Sequence, residues 1–481
     1  MKKIILISLT ILLNISVFAQ DSDWFYATMA RLDARELKED IPGEIDILTE
    51  KGYEAVVFMS PSAAELLHDR ILVHGPGYIF KSSYDEAISS INKTITTTSS
   101  RMAFTITEDE KVSEVLELMN VQNIEDHILE LENYGTRYHN LAQGTQAAID
   151  LKAKWEAMAA FYGRTDVSVR LYNHNNTPMP SVIMTITGAQ FPDEFVIVGG
   201  HLDSTSNQGN NDAPGADDDA SGIATITEAV RTLFEADFFP QRTIEIMAYA
   251  AEEIGLVGSG EIAQEYSSNN VNISAYVQFD MTNYNGSAND VYLITDFTNS
   301  SLNGFLMQLI DHYNASGAHQ FTYGTSLCNY GCSDHASWYN EGYMAAFPFE
   351  ASFGQHNPNI HTANDTFSIS GTADHALKFA KLCVEFLVET AKHDGLVGIT
   401  EVSEELYEIY TLNNTLYYNF DTYVESIDSI VIYDIGGRAI IAVDDTKNEG
   451  SITLTHLSSG IYIVNVQTTN SEVVNKKIMI E

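Results

Sequence analysis

Short apolar runs alternate with segments of helical periodicity between residues 167 and 393, and this alternation restricts the folds open to the chain. Six runs have the length and composition of strands, at residues 167–171, 182–187, 195–198, 244–250, 276–279 and 291–295. Strands that alternate with helices form sheets covered by helices on both faces. We therefore predict a three-layer α/β fold with a mostly parallel central sheet.

The sequence FVIVGGHLDS places His201 and Asp203 directly after one of these apolar runs. Open α/β sheets carry their functional sites at strand ends. A neutral imidazole nitrogen of His201 suits zinc, and Asp203 is close enough to hold the other ring nitrogen. An H-x-D sequence alone is weak evidence, so a structural role is an equal alternative for this pair.

Three adjacent aspartates, Asp217, Asp218 and Asp219, precede a segment whose apolar residues have helical spacing. They therefore lie on the loop that enters a helix, where either a cation or the helix N-terminus would relieve their mutual repulsion. A solvated capping cluster is the simpler interpretation of these residues in isolation. The residues alone do not determine which aspartate would bind a metal.

Glu252 and Glu253 follow the apolar run at 244–250. Neighbouring side chains point to opposite sides of an extended or turning backbone, so one glutamate can bind metal while the other faces a bound water. A metal lowers the pKa of its water to about 7, and a carboxylate beside it can carry the proton to a leaving amine. Most E-E pairs are solvated surface residues, but the apolar strand ahead of this pair argues against that alternative.

Two further candidate ligands complete the set. Asp280 follows the run at 276–279, and His361 lies in the loop sequence NPNIHTANDT, ahead of the last helical segment. Each residue alone is ordinary. Together with the residues above they give two histidines and three carboxylates, a nitrogen and oxygen ligand set that suits zinc, with manganese or cobalt as substitutes.

Whole phrases of the sequence resemble the secreted bacterial leucyl aminopeptidases, two-zinc metallopeptidases related to the glutamate carboxypeptidase and transferrin-receptor proteins. The phrases are GGHLDS, APGADDDASG, AYAAEEIGL, FDMTNYNGSA, CNYGCSDHASW and IHTANDT, within residues 104–393. The resemblance implies the zinc-exopeptidase fold and two Zn2+ ions per chain, with Asp218 bridging them. It implies one further pair of ligands for each ion: His201 with Asp280, and Glu253 with His361.

The same resemblance implies an exopeptidase that removes apolar, leucine-like residues from the free N-termini of peptides. Glu252 would act as general base on the bridging water that attacks the scissile carbonyl, while one ion receives the peptide's α-amine. Two enzymes of this fold are alternatives: a carboxypeptidase, and a glutaminyl cyclase, which uses one zinc. A noncatalytic adhesin or receptor is the alternative of another class. The sequence retains Glu252 as well as every ligand residue, which argues against this alternative.

The resemblance also implies a pocket for the first side chain of the peptide. Its lining residues are all apolar or aromatic, which favours Leu, Ile, Met or Phe: Met281, Ile294, Cys328, Tyr330, Cys332, Phe347, Phe349, Phe353 and Ile360. One methylene changes such a preference by only about 1–3 kcal/mol. His356 is either a polar rim residue or an exposed loop histidine, and plain core packing is the alternative for Phe347 and Phe349.

The chain contains three cysteines, and two of them, Cys328 and Cys332, flank the short loop CNYGC. An exported chain meets an oxidising environment, and the resemblance also supports a Cys328–Cys332 disulfide, which would stiffen the loop that carries Tyr330. Two free thiols or a metal-binding pair are the alternative. Cys383 falls on an apolar helical stripe, so we predict that it is a buried core residue.

Charge and the first residues of the sequence bear on location and partners. The chain carries 66 acidic and 25 basic residues, a formal net charge of -41, which disfavours nucleic acid and anionic membranes as partners. Residues 1–19 combine Lys2 and Lys3 with an apolar stretch and small residues at the cleavage positions, which predicts a signal peptide and no membrane anchor. We expect a secreted, extracellular enzyme that acts on peptides and is a monomer.

The length of 481 residues exceeds that of a usual single domain. After the signal peptide at 1–19, residues 20–98 lead into the polar stretch ITTTSS. We interpret them as a propeptide that assists folding or covers the site until proteolysis, and an extra module that stays attached is the alternative. The catalytic domain is predicted at 99–395, with its last helix near 373–393.

Residues 396–481 change to short β-rich runs, which predict a small β-sandwich. The phrases YDIGGRAI, LSSGIYIVNV and KKIMI resemble the C-terminal sorting domain of the Por secretion system. The resemblance implies export across the outer membrane by that machinery, after which the domain is often removed. A carbohydrate- or protein-binding β-sandwich is the alternative, and it would be retained in the mature protein.

Overall fold

The computed structural model describes residues 24–70, 75–93 and 104–394, and in the C-terminal part 408–412, 414–420, 427–434, 439–444, 447–458, 460–468 and 473–480. The expected signal peptide at 1–19 and the linker ITTTSS lie outside the described residues. Within the described residues, no helix has the length and apolar character needed to cross a lipid bilayer.

The described residues of the N-terminal segment form a small α/β unit with its own core. Its elements are β1 (Phe25–Ala30), α1 (Arg31–Asp40), β2 (Ile45–Lys51), β3 (Glu54–Met59), α2 (Pro61–Arg70), β4 (Tyr78–Lys81) and α3 (Tyr84–Asn92). The sheet has the order β2-β3-β1-β4, and each pairing is antiparallel. Apolar side chains from the strands, α1 and α2 form the core of this N-terminal unit.

The central segment is the α/β domain that the alternation predicts. Its helices and strands, in chain order, are α4 (Asp109–Glu117), α5 (Val121–Glu132), α6 (Ala142–Phe161), β5 (Val167–Tyr172), β6 (Ser181–Ile186), β7 (Phe191–His201), α7 (Ala220–Glu235), β8 (Arg242–Tyr249), α8 (Val257–Ser268), β9 (Asn272–Gln278), β10 (Val291–Ile294), α9 (Ser300–Tyr313), β11 (Tyr323–Ser326), α10 (His335–Asn340), β12 (Ala345–Ala346), β13 (Pro348–Phe349) and α11 (Ala376–Ala391). All six predicted strands are present.

The central sheet has six strands in the order β12-β9-β7-β8-β6-β5. Strand β7 pairs in parallel with β8 and β9, and β12 pairs in parallel with β9. The other two pairings, β6 with β8 and β5 with β6, are antiparallel. The sheet is therefore mixed, with its parallel strands grouped together, and the run predicted at 291–295 is in a second sheet of order β11-β10-β13.

Helices cover both faces of the central sheet. Val196 and Val198 of β7 belong to the large core that contains α7 and α11, whereas Ile197 between them belongs to a separate core with α8 and α10. Because successive side chains of a strand point to opposite faces, both faces must be apolar. This explains why the strands appear in the sequence as continuous apolar runs.

The described part of the C-terminal segment has the small β-sandwich expected from its sequence. Its strands are β14 (Glu408–Leu412), β15 (Thr415–Asn419), β16 (Ile427–Asp434), β17 (Ala439–Asp444), β18 (Glu449–Thr453), β19 (Gly460–Thr468) and β20 (Val473–Ile480). They form two antiparallel sheets, β14-β15-β18 and β17-β16-β19-β20. Both sheets contribute to one apolar core.

Candidate active site

The five residues considered as metal ligands lie together at the carboxyl ends of the parallel strands. Each is buried, and each is at the end of a strand or on a loop beside one: His201 ends β7, Asp218 precedes α7, Glu253 follows β8, Asp280 follows β9 and His361 is on the loop between β13 and α11. Parallel strands direct their carboxyl ends to the same edge, so the fold concentrates these side chains in one place.

The two carboxylate oxygens of Asp218 face two different histidines. Oδ1 lies 2.9 Å from Nε2 of His201, and Oδ2 lies 3.0 Å from Nε2 of His361. On the first side, Oδ1 of Asp280 is 3.5 Å from Nε2 of His201. On the second side, Oε2 of Glu253 is 3.2 Å from Nε2 of His361. Asp218 therefore lies between His201 with Asp280 on one side and His361 with Glu253 on the other. A carboxylate in this position can bridge two cations.

The neighbouring aspartate, Asp219, is bound to the main chain. Its carboxylate accepts hydrogen bonds from the N–H groups of His201, Gly222 and Met281, so it caps the N-terminus of α7 and connects two strand ends. His201, Asp219 and Asp280 also lie close enough together to hold a metal. We favour Asp218 as the bridge, because main-chain donors already occupy both oxygens of Asp219.

The capping role considered for the aspartates thus applies to Asp219, although this residue is fully buried rather than solvated. Asp217 is also buried, and its Oδ1 accepts a hydrogen bond from the N–H group of Asn283. Burial raises the pKa of Asp217 to about 6. Each of the three aspartates therefore has a different structural environment, which their sequence positions do not reveal.

The buried carboxylates fit a divalent cation. Ligand atoms of His201, Asp218 and Glu253 lie within 4.8 Å of one another. Within the described residues, Oε1 of Glu253 has no hydrogen-bond partner. Burial raises the pKa of Glu253, and the charge of Asp218 raises it further. A bound cation would compensate this concentration of buried negative charge, and the nitrogen and oxygen donors suit zinc.

Asp203 lies beside the second ring nitrogen of His201, as the sequence predicts, and its carboxylate has further contacts. Nδ1 of His201 lies 3.0 Å from the main-chain oxygen of Asp203, and 3.7 Å from its carboxylate. That carboxylate accepts hydrogen bonds from the N–H groups of Glu252, at 3.0 Å, and Glu253, at 3.3 Å. Asp203 therefore orients the imidazole through its main chain and fixes the turn after β8 through its side chain.

The backbone is strained at three places around the site. Ala251, Met281 and His361 adopt positive φ angles of 58°, 52° and 55°, a region that costs side-chain-bearing residues about 1–3 kcal/mol each. Ala251 precedes Glu252, Met281 follows Asp280, and His361 is itself a candidate ligand. Strain of this kind is concentrated at functional sites, where the surrounding structure maintains it.

Arg137 is a supporting residue that the sequence analysis missed. It is fully buried, and its guanidinium donates hydrogen bonds to the main-chain oxygens of Leu202, Pro214 and Gly215, at 2.7–2.8 Å. These oxygens belong to the two ends of the loop between His201 and Asp218. No motif surrounds Arg137 in the sequence, so only the contacts reveal that it fixes this loop.

Asp365 is a second supporting residue, and it lies within the phrase IHTANDT. Its carboxylate accepts hydrogen bonds from the N–H groups of Asp217 and Asp218 and from the side-chain amide of Asn357. Asp365 follows His361 by four positions within this conspicuous motif, and this position could have identified it as a supporting residue. Asp280 has a similar support, because the hydroxyl of Ser333 donates to its Oδ2.

The residues considered as a substrate pocket form one apolar cluster. Tyr330 and Phe353 are partly buried and pack against the other seven. These seven are buried: Met281, Ile294, Cys328, Cys332, Phe347, Phe349 and Ile360. His356 is only 7% exposed and packs against the rings of Phe349 and Phe353, so the exposed-loop alternative is wrong.

The cysteines have the predicted states. Cys328 and Cys332 form a disulfide, so the alternatives of free thiols and of a metal-binding pair are wrong. Cys383 on α11 is a buried free thiol, as its position on an apolar stripe predicts. The disulfide closes the CNYGC loop beside the apolar cluster.

Comparison with known proteins indicates which families two parts of the chain match. The model of peptidase family M28 matches residues 181–387, and that of the secretion system C-terminal sorting domain matches residues 412–481. Leucine aminopeptidase 1 of Paracoccidioides brasiliensis (strain Pb03) is 34% identical over 297 residues, which cover 58% of this chain and 74% of the relative. Leucine aminopeptidase 1 of Coccidioides posadasii (strain C735) is 34% identical over 295 residues, with coverage of 58% and 74%.

Two solved structures from Legionella pneumophila are similar over a larger part of the chain. LapB superimposes with a TM-score of 0.68 at 27% identity, covering 77% of this chain and 100% of that chain. The LapA aminopeptidase superimposes with a TM-score of 0.67 at 31% identity, covering 76% and 98%. Fold and comparisons together define a hydrolase of the aminopeptidase type. The chain belongs to peptidase family M28, and its sorting domain indicates that it is exported.

Proposed function

We propose that this protein is a zinc-dependent aminopeptidase that releases leucine-like residues from the N-termini of peptides. The observation that carries the proposal is the position of Asp218, whose two oxygens face His201 and His361. Two zinc ions would be held, one by His201, Asp218 and Asp280, and the other by Asp218, Glu253 and His361. When bound, they would polarise the scissile carbonyl and lower the pKa of the attacking water to about 7.

Glu252 is the proposed general base and acid. It lies beside the ligand Glu253, it is 1% exposed, and its N–H group is fixed by the carboxylate of Asp203. Its carboxylate accepts the proton of the attacking water and then delivers it to the leaving amine. The strained residue Ala251, and the hydrogen bond that the N–H group of Glu252 donates to Asp203, hold the backbone of Glu252 in place before substrate arrives.

The apolar cluster is the proposed pocket for the first side chain of the peptide. Two of its members are chain neighbours of proposed ligands, since Met281 follows Asp280 and Ile360 precedes His361. A substrate whose scissile bond lies at the metal centre would therefore have its first side chain beside these residues. An apolar lining without a charged side chain favours Leu, Ile, Met or Phe.

The N-terminal unit is the proposed propeptide, and it lies over the active site. The N–H group of Phe80 donates to the main-chain oxygen of Gly255, just after the two glutamates. A side-chain carbon at Gly75 would lie 2.7 Å from the main-chain oxygen of Cys332 and 3.5 Å from Oε1 of Glu252. The segment is therefore in close contact with the proposed base and with the disulfide loop, where a peptide substrate must enter.

An open cleft lies where the two parts meet. A cleft of about 1160 Å³ remains between them, lined by Tyr53 and Tyr78 on one side and by Phe297, Leu327 and Tyr330 on the other. We infer that proteolysis in the linker after α3 allows the N-terminal unit to leave and activates a zymogen.

Hydrolysis of leucyl-anilide by the chain without its signal peptide tests the proposal. Activity should appear on limited proteolysis, disappear with chelator and return with zinc. Glu252→Gln should lower kcat by about 100- to 10,000-fold while zinc stoichiometry stays at wild-type level, and the exposed Glu156→Gln serves as the matched control. Peptides with a blocked N-terminus and a free C-terminus should not be hydrolysed, and N-terminal glutaminyl peptides should not be cyclised. Inactivity of every trimmed, zinc-loaded form on leucyl-anilide would exclude the proposed activity.

A further inference from the structure

His68 of the N-terminal unit contacts the proposed metal centre from outside. It lies in the last turn of α2, and its Nε2 is 2.7 Å from Nδ1 of His361. The two ring centroids are 4.3 Å apart. The residues are 293 positions apart in the chain, so this contact depends wholly on how the N-terminal unit rests on the catalytic domain.

The two ring nitrogens of His361 therefore face different parts of the molecule. Nε2 faces Asp218 and Glu253, at 3.0 and 3.2 Å, whereas Nδ1 faces His68. A metal bound at Nε2 requires an unprotonated nitrogen there, so the ring proton must reside on Nδ1. A ligating histidine normally donates this second N–H to an acceptor that fixes the ring, and Nε2 of His68 is within hydrogen-bond distance.

The packing of α2 does not require a histidine at this position. Ala63, Ala64 and Leu67 of the same helix supply its contribution to the core of the N-terminal unit. His68 is not part of that core and points to the catalytic domain instead. Its ring nitrogen lies with Glu253 and His361 in a group whose ligand atoms are all within 4.8 Å, which is an unusual position for a residue of a separate folding unit.

We propose that His68 is a positioning residue of the metal centre in the uncleaved chain, where its Nε2 accepts the Nδ1–H of His361. The inference rests on the proposed function, because it takes His361 as a metal ligand. The N-terminal unit is then fastened to the catalytic domain through one ligand of the metal. By linkage, the unit strengthens metal binding by the same factor by which the metal strengthens retention of the unit.

Zinc affinity of the uncleaved chain tests this proposal, measured by competition with a chromogenic chelator. Outer partners of metal ligands are worth about 10- to 100-fold in affinity, so His68→Phe should weaken zinc binding by that factor. His68→Gln should retain most of the affinity, because its amide oxygen can accept the same hydrogen bond. Circular dichroism of both variants checks that α2 and the unit remain folded.

Proteolytic removal of the N-terminal unit provides the matched control. After cleavage, the catalytic domains obtained from wild type, His68→Phe and His68→Gln have the same sequence, so their zinc affinities should coincide. In the cleaved but undissociated complex, chelation should speed release of the wild-type fragment and have little effect on the His68→Phe fragment. Both measurements follow binding rather than turnover, and a purely structural role for His68 would not link fragment release to the metal.

The outcomes separate this inference from the proposed function. Equal zinc affinity of wild type and His68→Phe in the uncleaved chain would overturn the inference. A lower nitrogen count for the Phe variant in X-ray absorption of the zinc-loaded chain would also overturn it, because His68 would then bind the metal directly. Absence of zinc binding in the mature domain, or binding that His361→Ala leaves unchanged, would instead refute the metal centre itself.

Discussion

At the residue scale, the site depends on how three adjacent aspartates divide their roles. Asp218 faces two histidines, Asp219 accepts three main-chain hydrogen bonds, and Asp217 accepts one from Asn283. Sequence analysis predicted the cluster and left the choice open, while the family resemblance implied Asp218. The contacts that distinguish the three come from distant parts of the chain, and their local sequence carries no information about them.

Substitution of the two aspartates separates a metal role from a main-chain role. Asp218→Asn should lose most bound zinc, because an amide is a poor bridging ligand. Asp219→Asn replaces one acceptor oxygen with a donor, so it should lower the free energy of unfolding by about 1–3 kcal/mol and retain more zinc than Asp218→Asn. Zinc content and urea unfolding of both variants provide the measurement. Equal zinc loss in both would show that Asp219 is also a ligand.

At the scale of elements, the buried residue His375 directly precedes helix α11, and we expect it to make stability depend on pH. Burial lowers the pKa of His375 to about 4, and the nearby charge of Lys378 adds to the effect. Its Nε2 lies 3.3 Å from the main-chain oxygen of Glu350, so the neutral ring can donate there. The unfolded chain, with an ordinary histidine pKa near 6.5, binds a proton more readily than the folded one.

A folded-state pKa below the unfolded value gives stability that is present above pH 6.5 and is lost as the pH falls towards 4. Between pH 7 and pH 5 this histidine should cost the metal-free protein roughly 2 kcal/mol of unfolding free energy. We expect the drop for wild type to exceed that for His375→Gln by this amount, in urea titrations at both pH values. Other titrating groups are common to both chains, so parallel drops would refute the assignment.

Strands were the best predicted elements, and their arrangement was predicted less well. All six runs became strands. Five of them are largely buried, and burial on both faces of a sheet demands continuous apolar sequence, whereas β5 at the sheet edge is only partly buried. The antiparallel edge formed by β5 and β6, and the placement of β10 in a second sheet, were not predicted. Pairing partners are chosen by contacts between segments far apart in the chain, and a single apolar run is compatible with several of them.

At the scale of the whole molecule, the N-terminal unit, the α/β domain and the β-sandwich each have an apolar core of their own within the described residues. Such an arrangement is typical of parts that fold and act independently. The β-sandwich matches a sorting domain. We therefore expect it to be needed for export and dispensable for catalytic activity.

Deletion of residues 396–481 tests this division. The purified, proteolytically activated protein without the tail should hydrolyse leucyl-anilide with the kcat and KM of the full-length activated form. Cells that possess the secretion system should fail to export the truncated chain. A periplasmic reporter fused to the tail should be exported by the same cells. A truncated enzyme that loses activity while its melting temperature is unchanged would indicate a substrate-binding tail.

The sequence by itself determined the α/β class, the strands and the types of the candidate ligands, because periodicity and motifs are local properties. Only the family resemblance singled out Asp218 among the three adjacent aspartates. The tertiary structure decided which aspartate faces both histidines, how Arg137 and Asp365 hold the loops, and that His68 lies 2.7 Å from His361. These features are contacts between residues remote in the chain, and only the folded arrangement of backbone and side chains specifies them.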